Sequence, residues 1–414
     1  MPQSLSEENS QINAHLPPNL IRRIKRHVVA RTHGFFAATA PGLEHLCRDE
    51  LLGIGLAQMP RMVPGGVEFT GRLDVCYRSN LHLRTANRIL MRIAEFKATG
   101  FGSLEKKASE VPWELFLPPE KGIHIRAAAT HSRLMHTGAI SERVLKAISS
   151  RLGRQATEPP PGKSGQGLFI RAIKDHFTLS IDSSGENLYK RGIKTHGGRA
   201  PLRETTAASI LKLAGYQPER PLLDPMCGSG SFSIEAAMMS RRIPPGWYRD
   251  FAFMHWPAFR PRQWAYIRQA ALGGAAPAAA AILASDKDPT VCRRLSETLE
   301  RCDLCGSVQV VNADFFHMPL PPDRPRPDLP GLIVLNPPYG RRIGSQGESQ
   351  RLTAAICDKL ISDFKGWRFA ILAPPGAIPD GFSSRCHTRA FHHGGLKLVL
   401  HIGIIGSGPP SGYH

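Results

Sequence analysis

Residues 222–230 read Leu222-Leu223-Asp224-Pro225-Met226-Cys227-Gly228-Ser229-Gly230, and this stretch limits the possible folds more than any other. A short apolar run stops at Asp224, a turn of small residues follows, and Ser231 to Met239 reads as a helix. Strand, glycine turn and helix in that order is how a doubly wound α/β sheet builds a nucleotide site at the carboxyl end of its first strand. Gly228 and Gly230 let the backbone bend and approach a ligand closely. The turn lacks the Lys-Ser/Thr ending of a P-loop and the full spacing of a dinucleotide fingerprint, which disfavours a phosphate ligand. Taken alone, the same pattern also describes an ordinary strand-to-helix turn.

A second stretch sharpens the reading. Leu332-Ile333-Val334-Leu335 is another buried-strand run, and it stops at Asn336-Pro337-Pro338-Tyr339-Gly340. The two stretches together resemble motifs I and IV of S-adenosylmethionine-dependent amino-methyltransferases.

The chain has 414 residues, enough for two or three domains. No run of eighteen apolar residues occurs, so no membrane span is expected. Met1 to Leu20 is polar, without the apolar core of a signal peptide, and residues 1–33 read as a basic tail. The formal charge of +19 favours a polyanionic partner. It is uneven: +12 over residues 1–200 and +7 over 201–414, so the half without the glycine turn is the more basic. Eight scattered cysteines fit a reducing, cytoplasmic setting better than a disulfide framework. Cys302 and Cys305 form a CxxC pair, but no second ligand pair lies nearby, and no metal is expected.

Along the chain, Phe35 to Thr39, Val67 to Phe69 and Ile89 to Phe96 read as strands, with helices over Gly42 to Leu52 and Leu73 to Leu81. This alternation predicts a small α/β module over 34–100. A second module over 101–182 contains a strand from Ile123, a helix over Ser141 to Leu152, and a strand pair turning at Lys174-Asp175. Asp182-Ser183-Ser184-Gly185 marks a boundary, and the remaining domain is expected over 183–403. The stretch from Arg241 to Arg262 mixes arginines with Trp247, Tyr248, Phe251, Phe253, Trp256 and Phe259; it reads equally as an RNA-facing insertion or a packed loop.

From Asp182 through Ala237 the chain resembles the THUMP-containing guanine-N2 methyltransferases, of which the bacterial 23S ribosomal RNA enzyme is the nearest type. The resemblance implies an α/β protein: a ferredoxin-like module, a THUMP RNA-binding domain at 101–182, and a class I Rossmann-like methyltransferase domain. It implies S-adenosylmethionine as cofactor and RNA, 23S rRNA first, as partner. Met226, Cys227, Gly228, Ser229 and Gly230 are then expected around the aminoacyl end of the donor, with Asp224 orienting its ammonium. Asp286, closing the strand after Ala284, can accept both ribose hydroxyls, with Asp288 as second choice. Asp314 is expected at the adenine amino group and Phe315 on its ring. Asn336, next to the donor, and Pro337 can each accept one hydrogen of the acceptor amine through a carbonyl oxygen. Pro338 stiffens the loop and Tyr339 can stack on the base. Arg133 and His136, in a polar loop, and Arg341 and Arg342, after the tetrapeptide, are candidate RNA contacts. The tetrapeptide alone does not distinguish guanine N2 from adenine N6 or a glutamine amide. Transfer RNA guanine N2, adenine N6 in DNA or RNA, and a non-catalytic RNA-binding role stay open on the residues alone.

Overall fold

The structure, a computed structural model, describes residues 16–118, 120–160, 165–193, 202–272, 281–318, 330–338, 346–383, 386–393 and 396–406. It divides into two compact units, Met1–Leu188 with Gly246–Ala271, and Tyr189–Pro245 with Leu272–His414.

The first unit is built on one seven-stranded sheet. Its strands are β1 (His33–Ala38), β2 (Arg61–Val63), β3 (Gly66–Gly71), β4 (Arg88–Lys97), β5 (Ile123–Thr130), β6 (Gln166–Ile173) and β7 (His176–Asp182), in the order β2-β3-β1-β4-β7-β6-β5. Only β5 and β6 run parallel; every other neighbouring pair is antiparallel. β4 pairs with β7 from Leu90↔Asp182 to Lys97↔His176, so the segments 34–100 and 101–182 share a continuous sheet. Lys174 and Asp175, at φ 50° and 65°, make the tight left-handed turn that a two-residue hairpin needs.

The strands alternate. Phe35, Phe69, Ile89, Leu168 and Leu179 face one side, where they join a hydrophobic core with Cys47, Tyr77, Leu104 and Ile148. Those last four lie on α2 (Glu44–Gly53), α3 (Leu73–His82), α4 (Phe101–Glu110) and α5 (Thr137–Leu152). Residues 18–29, part of the expected tail, are ordered. Helix α1 (Pro18–Ile24) runs into a π-helical turn at Lys25–Val29, and Ile24 and Val28 are buried in the same core. Their spacing with Leu20, every fourth residue, places all three on one helical face.

The aromatic stretch after Arg242 is packed. Phe251, Phe253, Trp256 and Phe259 are buried, as is Trp264 on α8 (Pro261–Leu272). Phe253 stacks on Tyr77 at 4.6 Å between ring centroids and meets Trp264 edge-on at 5.3 Å. Trp256 Nε1 donates to Gln166 Oε1 at 2.9 Å. Residues that lie within the other unit's sequence span thus complete the core of the first.

The second unit also has a seven-stranded sheet: β8 (Leu222–Asp224), β9 (Ile282–Asp286), β10 (Val308–Asn312), β11 (Leu332–Leu335), β12 (Arg368–Ala373), β13 (His387–His393) and β14 (Leu396–Ile404). The order is β10-β9-β8-β11-β12-β14-β13. The first five are parallel, and β14 and β13 form an antiparallel hairpin at the edge. The sheet is doubly wound, and its strand order reverses between β8 and β11. Ligands of such sheets bind outside the carboxyl ends of the strands at that reversal. No helix among the described residues is long and apolar enough to cross a membrane.

Candidate active site

β8 is fully buried and ends at Asp224. Helix α6 (Glu204–Leu213) precedes β8; after β8 the chain turns, and α7 (Ser231–Ser240) begins after Gly230. The turn is tied to β9: Cys227 N–H donates to Ser285 O at 2.9 Å and Gly228 N–H donates to Asp286 Oδ2 at 3.0 Å. The other oxygen of Asp286 accepts the Asp288 N–H at 3.0 Å. Each carboxylate oxygen therefore uses one acceptor position on the backbone and keeps another for a ligand.

The two glycines have different roles. Gly230 has φ 72°, and a Cβ there would lie 2.3 Å from Leu295 Cδ1, so glycine is required for the approach of α7 to the neighbouring helix α9 (Pro289–Arg301). Gly228 has φ 51° with nothing within 4 Å of its position for a Cβ. Its left-handed backbone directs an N–H to Asp286.

These elements surround a cavity of about 580 Å³. Its wall includes Met226, Cys227, Gly228 and Ser229 from the turn, Asp286 and Asp288, Asp314 and Phe315 after β10, and Asn336 and Pro338 after β11. The sequence-derived donor residues are thus brought together, with two exceptions. Asp224 is 1 % exposed, accepts from Ser233 Oγ at 2.6 Å, and lies behind the wall. Gly230 is likewise not a wall residue.

Asp288 has a structural task. It is the N-cap of α9, its Oδ1 accepting the Thr290 N–H at 2.8 Å. Phe315 touches the cavity, but its ring is 2 % exposed and packs against Phe364 at 6.3 Å. Half-buried Phe316, also in the wall, is the more accessible ring. Asp314 Oδ1 accepts the Phe316 N–H at 3.0 Å and fixes that turn. Burial pushes the Cys227 thiol far up, with Asp224 and Asp286 adding to the effect, so this cavity-lining thiol is a neutral wall group rather than a nucleophile.

Sequence reasoning missed the face of α9. Val291, Arg294, Leu295 and Thr298 line the cavity at helical spacing, and that periodicity was the available signal. Arg301, one turn on, donates from Nη2 to Ile193 O at 2.7 Å.

Asn336 sits where β11 ends. Its Oδ1 is buried and has no hydrogen-bond partner among the described residues. An acceptor left unpaired costs about 1–3 kcal/mol, which marks a position designed to receive a donor. Pro337 and Pro338, buried and half-buried, hold the backbone behind it. Tyr339, Arg341 and Arg342 lie outside the described residues. In the first unit Arg133 and His136 are exposed. Arg133 donates its N–H to Asp175 Oδ1 at 2.7 Å, and His136 caps α5 by accepting the Ala139 N–H at 3.0 Å. Among the described residues no group of three or more His, Cys, Asp or Glu could hold a metal.

A nucleoside with a short polar tail fits this wall: a rigid carboxylate for a diol, a half-buried ring beside it, and a backbone turn at the strand reversal. Fold and site together define the class, a Rossmann-like methyltransferase. Residues 191–398 match the family described as RMKL-like, methyltransferase domain (UPF0020), and residues 34–90 match an RlmL ferredoxin-like domain. The chain belongs to this methyltransferase family, and S-adenosylmethionine is its cofactor. It is 32 % identical to a Synechocystis sp. protein named as a candidate RNA methyltransferase, over 90 % of this chain and 96 % of the relative. It is 35 % identical to the ribosomal RNA large subunit methyltransferase K/L of Cellvibrio japonicus, over 82 % of this chain and 46 % of that protein. The chain therefore spans about half the length of the K/L relatives it matches. A candidate methyltransferase, SMU.472, crystallised with SAH, superposes with TM-score 0.77 at 27 % identity, covering 91 % of this chain and 99 % of that one. A Listeria monocytogenes structure named as a predicted N6-adenine-specific DNA methylase superposes at 0.79 and 27 %, covering 91 % and 97 %.

Proposed function

We propose that the protein transfers a methyl group from S-adenosylmethionine to the exocyclic N2 amine of a guanine in 23S ribosomal RNA. The unpaired Oδ1 of Asn336 at the carboxyl end of β11, beside the donor cavity, carries this reading. An exocyclic amine is a poor nucleophile because its lone pair is delocalised into the ring. Asn336 Oδ1 and the Pro337 carbonyl each accept one amine hydrogen, which turns the lone pair toward the methyl. Prolines preorganise both acceptors. Bound S-adenosylmethionine supplies a methyl that is already electrophilic, so positioning is the main task left to the protein. Asp286 holds the ribose diol, and the 225–229 turn lies against the aminoacyl end. Tyr339 stacks on the flipped-out base, and Arg341 and Arg342 hold neighbouring phosphates.

Residues 101–182 act as a THUMP module that reads RNA, with Arg133 and His136 among its contacts. The net charge of +19 and the names of the K/L relatives support an RNA substrate over a protein one. The name of the Listeria structure favours a second reading, adenine N6 in DNA, because the same tetrapeptide can serve that amine.

The test is transfer of labelled methyl to separate pools of unmodified large-subunit RNA, transfer RNA and DNA, with product nucleosides identified by mass. N2-methylguanosine in ribosomal RNA alone is expected. The same nucleoside in transfer RNA moves the substrate, N6-methyladenine overturns the base, and absence of transfer to every pool overturns the reading.

A further inference from the structure

The sheet of the first unit has one face packed with helices and an opposite face that is open at its β5–β6 side. On β5, His124, Arg126, Ala128 and Thr130 are exposed in strict alternation. On β6, Phe169 is half-buried and Arg171 and Ile173 are exposed. The register sets Arg126 opposite Phe169 and Ala128 opposite Arg171. The two arginines are therefore diagonal neighbours on one surface.

Two guanidinium groups lie near the Phe169 ring, Arg88 at 5.4 Å and Arg126 at 5.6 Å from its centroid. They are not equivalent. Arg88 is nearly buried and committed: it pairs with Asp182, donates to Gly185 O at 2.6 Å and to Asn187 Oδ1 at 2.9 Å. Gly167 leaves room for this pair, because a Cβ there would lie 2.9 Å from Asp182 Cβ. Arg126 and Arg171 are exposed, and neither has a carboxylate partner among the described residues. Lys174, exposed at the hairpin that ends β6, continues the line. The acids on the neighbouring strands and at the turn are engaged elsewhere: Asp182 with Arg88, Glu95 with Arg92 at 3.5 Å, and Asp175 with Arg133 at 3.7 Å.

Like charges on neighbouring strands without acids between them do not stabilise a sheet. They fit an anion that arrives from outside. An exposed face with an aromatic ring, stacked guanidinium and spaced cations is how single-stranded nucleic acid is held, bases on the planes and phosphates on the cations. A duplex keeps its base planes stacked and would meet only the charges. The apolar side chains here, Phe169 and Ile173, are too few for a protein interface.

We propose that the open face of β5 and β6 docks a single-stranded segment of the RNA substrate, a base against the Phe169–Arg126 pair and phosphates on Arg126, Arg171 and Lys174. This rests on the RNA reading above and adds a second place of contact, apart from the methyl-transfer cavity.

The test uses the full chain and three probes: a labelled RNA of roughly eight nucleotides, within the site sizes of single-strand platforms, its blunt duplex, and unmodified large-subunit RNA. The single strand should bind in preference to the duplex. R126A/R171A should weaken it about tenfold and reduce the slope of log affinity against log salt by about 1.4, two phosphate contacts' worth. F169L should weaken it about fivefold or more through lost stacking. A 4-thiouridine probe should crosslink to the β6 peptide, a readout that does not depend on the variants folding. Failure of wild type to bind any RNA overturns the RNA reading itself. RNA binding that both variants keep in full, crosslinks elsewhere, equal duplex affinity, or binding of long RNA without the short strand each overturns this proposal alone. Variants that keep RNA affinity but change sedimentation would give the face to a second copy of the chain instead.

Discussion

Replacing Gly230 by alanine separates the packing role of the motif turn from its ligand role. The residue has φ 72° and ψ 27°, and an added methyl would stand 2.3 Å from Leu295 Cδ1, 3.0 Å from Cδ2 and 3.2 Å from Cγ. The left-handed backbone costs an alanine about 1–2 kcal/mol, and forcing a methyl into a packed contact costs about 1–3 kcal/mol more. Gly230→Ala should therefore lose about 2–5 kcal/mol. Gly228→Ala, at φ 51° with open space around it, should lose only the backbone part, about 1–2 kcal/mol. Leu295→Val removes the clashing δ-methyl groups at a cost near 1 kcal/mol. The double variant should then recover about 1–3 kcal/mol relative to additivity. Urea unfolding of the full chain, followed by far-ultraviolet circular dichroism, measures all four. If Gly230→Ala is no less stable than Gly228→Ala, or if Leu295→Val gives no coupling, the close approach of α7 to α9 does not explain the glycine.

Asp286→Ala should weaken S-adenosylmethionine binding about tenfold or more by calorimetry, because its acceptors for a diol disappear; unchanged affinity would move the role to Asp288. Arg191 Nε donates to Glu235 Oε1 at 2.9 Å with both side chains essentially buried. Arg191→Met should cost about 3–5 kcal/mol in urea unfolding, and Arg191→Met with Glu235→Leu should recover much of it. Burial lowers His82 and His255 to about 4, with Arg84 and Lys121 respectively adding to it. Their unfolded value is near 6.5, so the unfolded chain binds the extra protons between pH 6.5 and 4. The first unit should be fully stabilised above pH 6.5 and lose about 1–3 kcal/mol per histidine as pH falls toward 4, after discounting for partial exposure. Thermal unfolding of His82→Phe should flatten that dependence, and an unchanged slope would refute the assignment.

Local signals carried much of the architecture. Alternation pointed to β4, short apolar and aromatic runs to β1, β6 and β7, and Lys174-Asp175 marked the β6–β7 turn. The apolar runs at Leu222 and Leu332 announced two strands buried on both faces. Helix α1 was missed although Leu20, Ile24 and Val28 recur every fourth residue; the surrounding arginines masked a short apolar stripe. The β4–β7 pairing joins residues far apart in the chain, and no local pattern encodes it. The packing of Phe253 and Trp264 on Tyr77 is similarly long-range. Within the site, the resemblance to methyltransferase motifs, with strand-end position, pointed to Asp286 and Asn336, which both reach the cavity. The same reasoning could not tell a ligand carboxylate from a helix cap, as Asp288 is, or a ligand ring from a core ring, as Phe315 mostly is. Those distinctions depend on which side of a turn faces solvent.

The most direct test of the account is single-turnover methyl transfer by Asn336→Ala, read beside its S-adenosylmethionine affinity and its stability. Asn336 Oδ1 has no hydrogen-bond partner among the described residues, so its removal should leave folding unharmed. The account predicts a transfer rate lower by about 10²–10³, with donor affinity within about twofold and unfolding free energy equal or slightly raised. An unchanged rate, or a loss traced wholly to donor affinity or folding, would contradict the claim that Asn336 activates the acceptor amine.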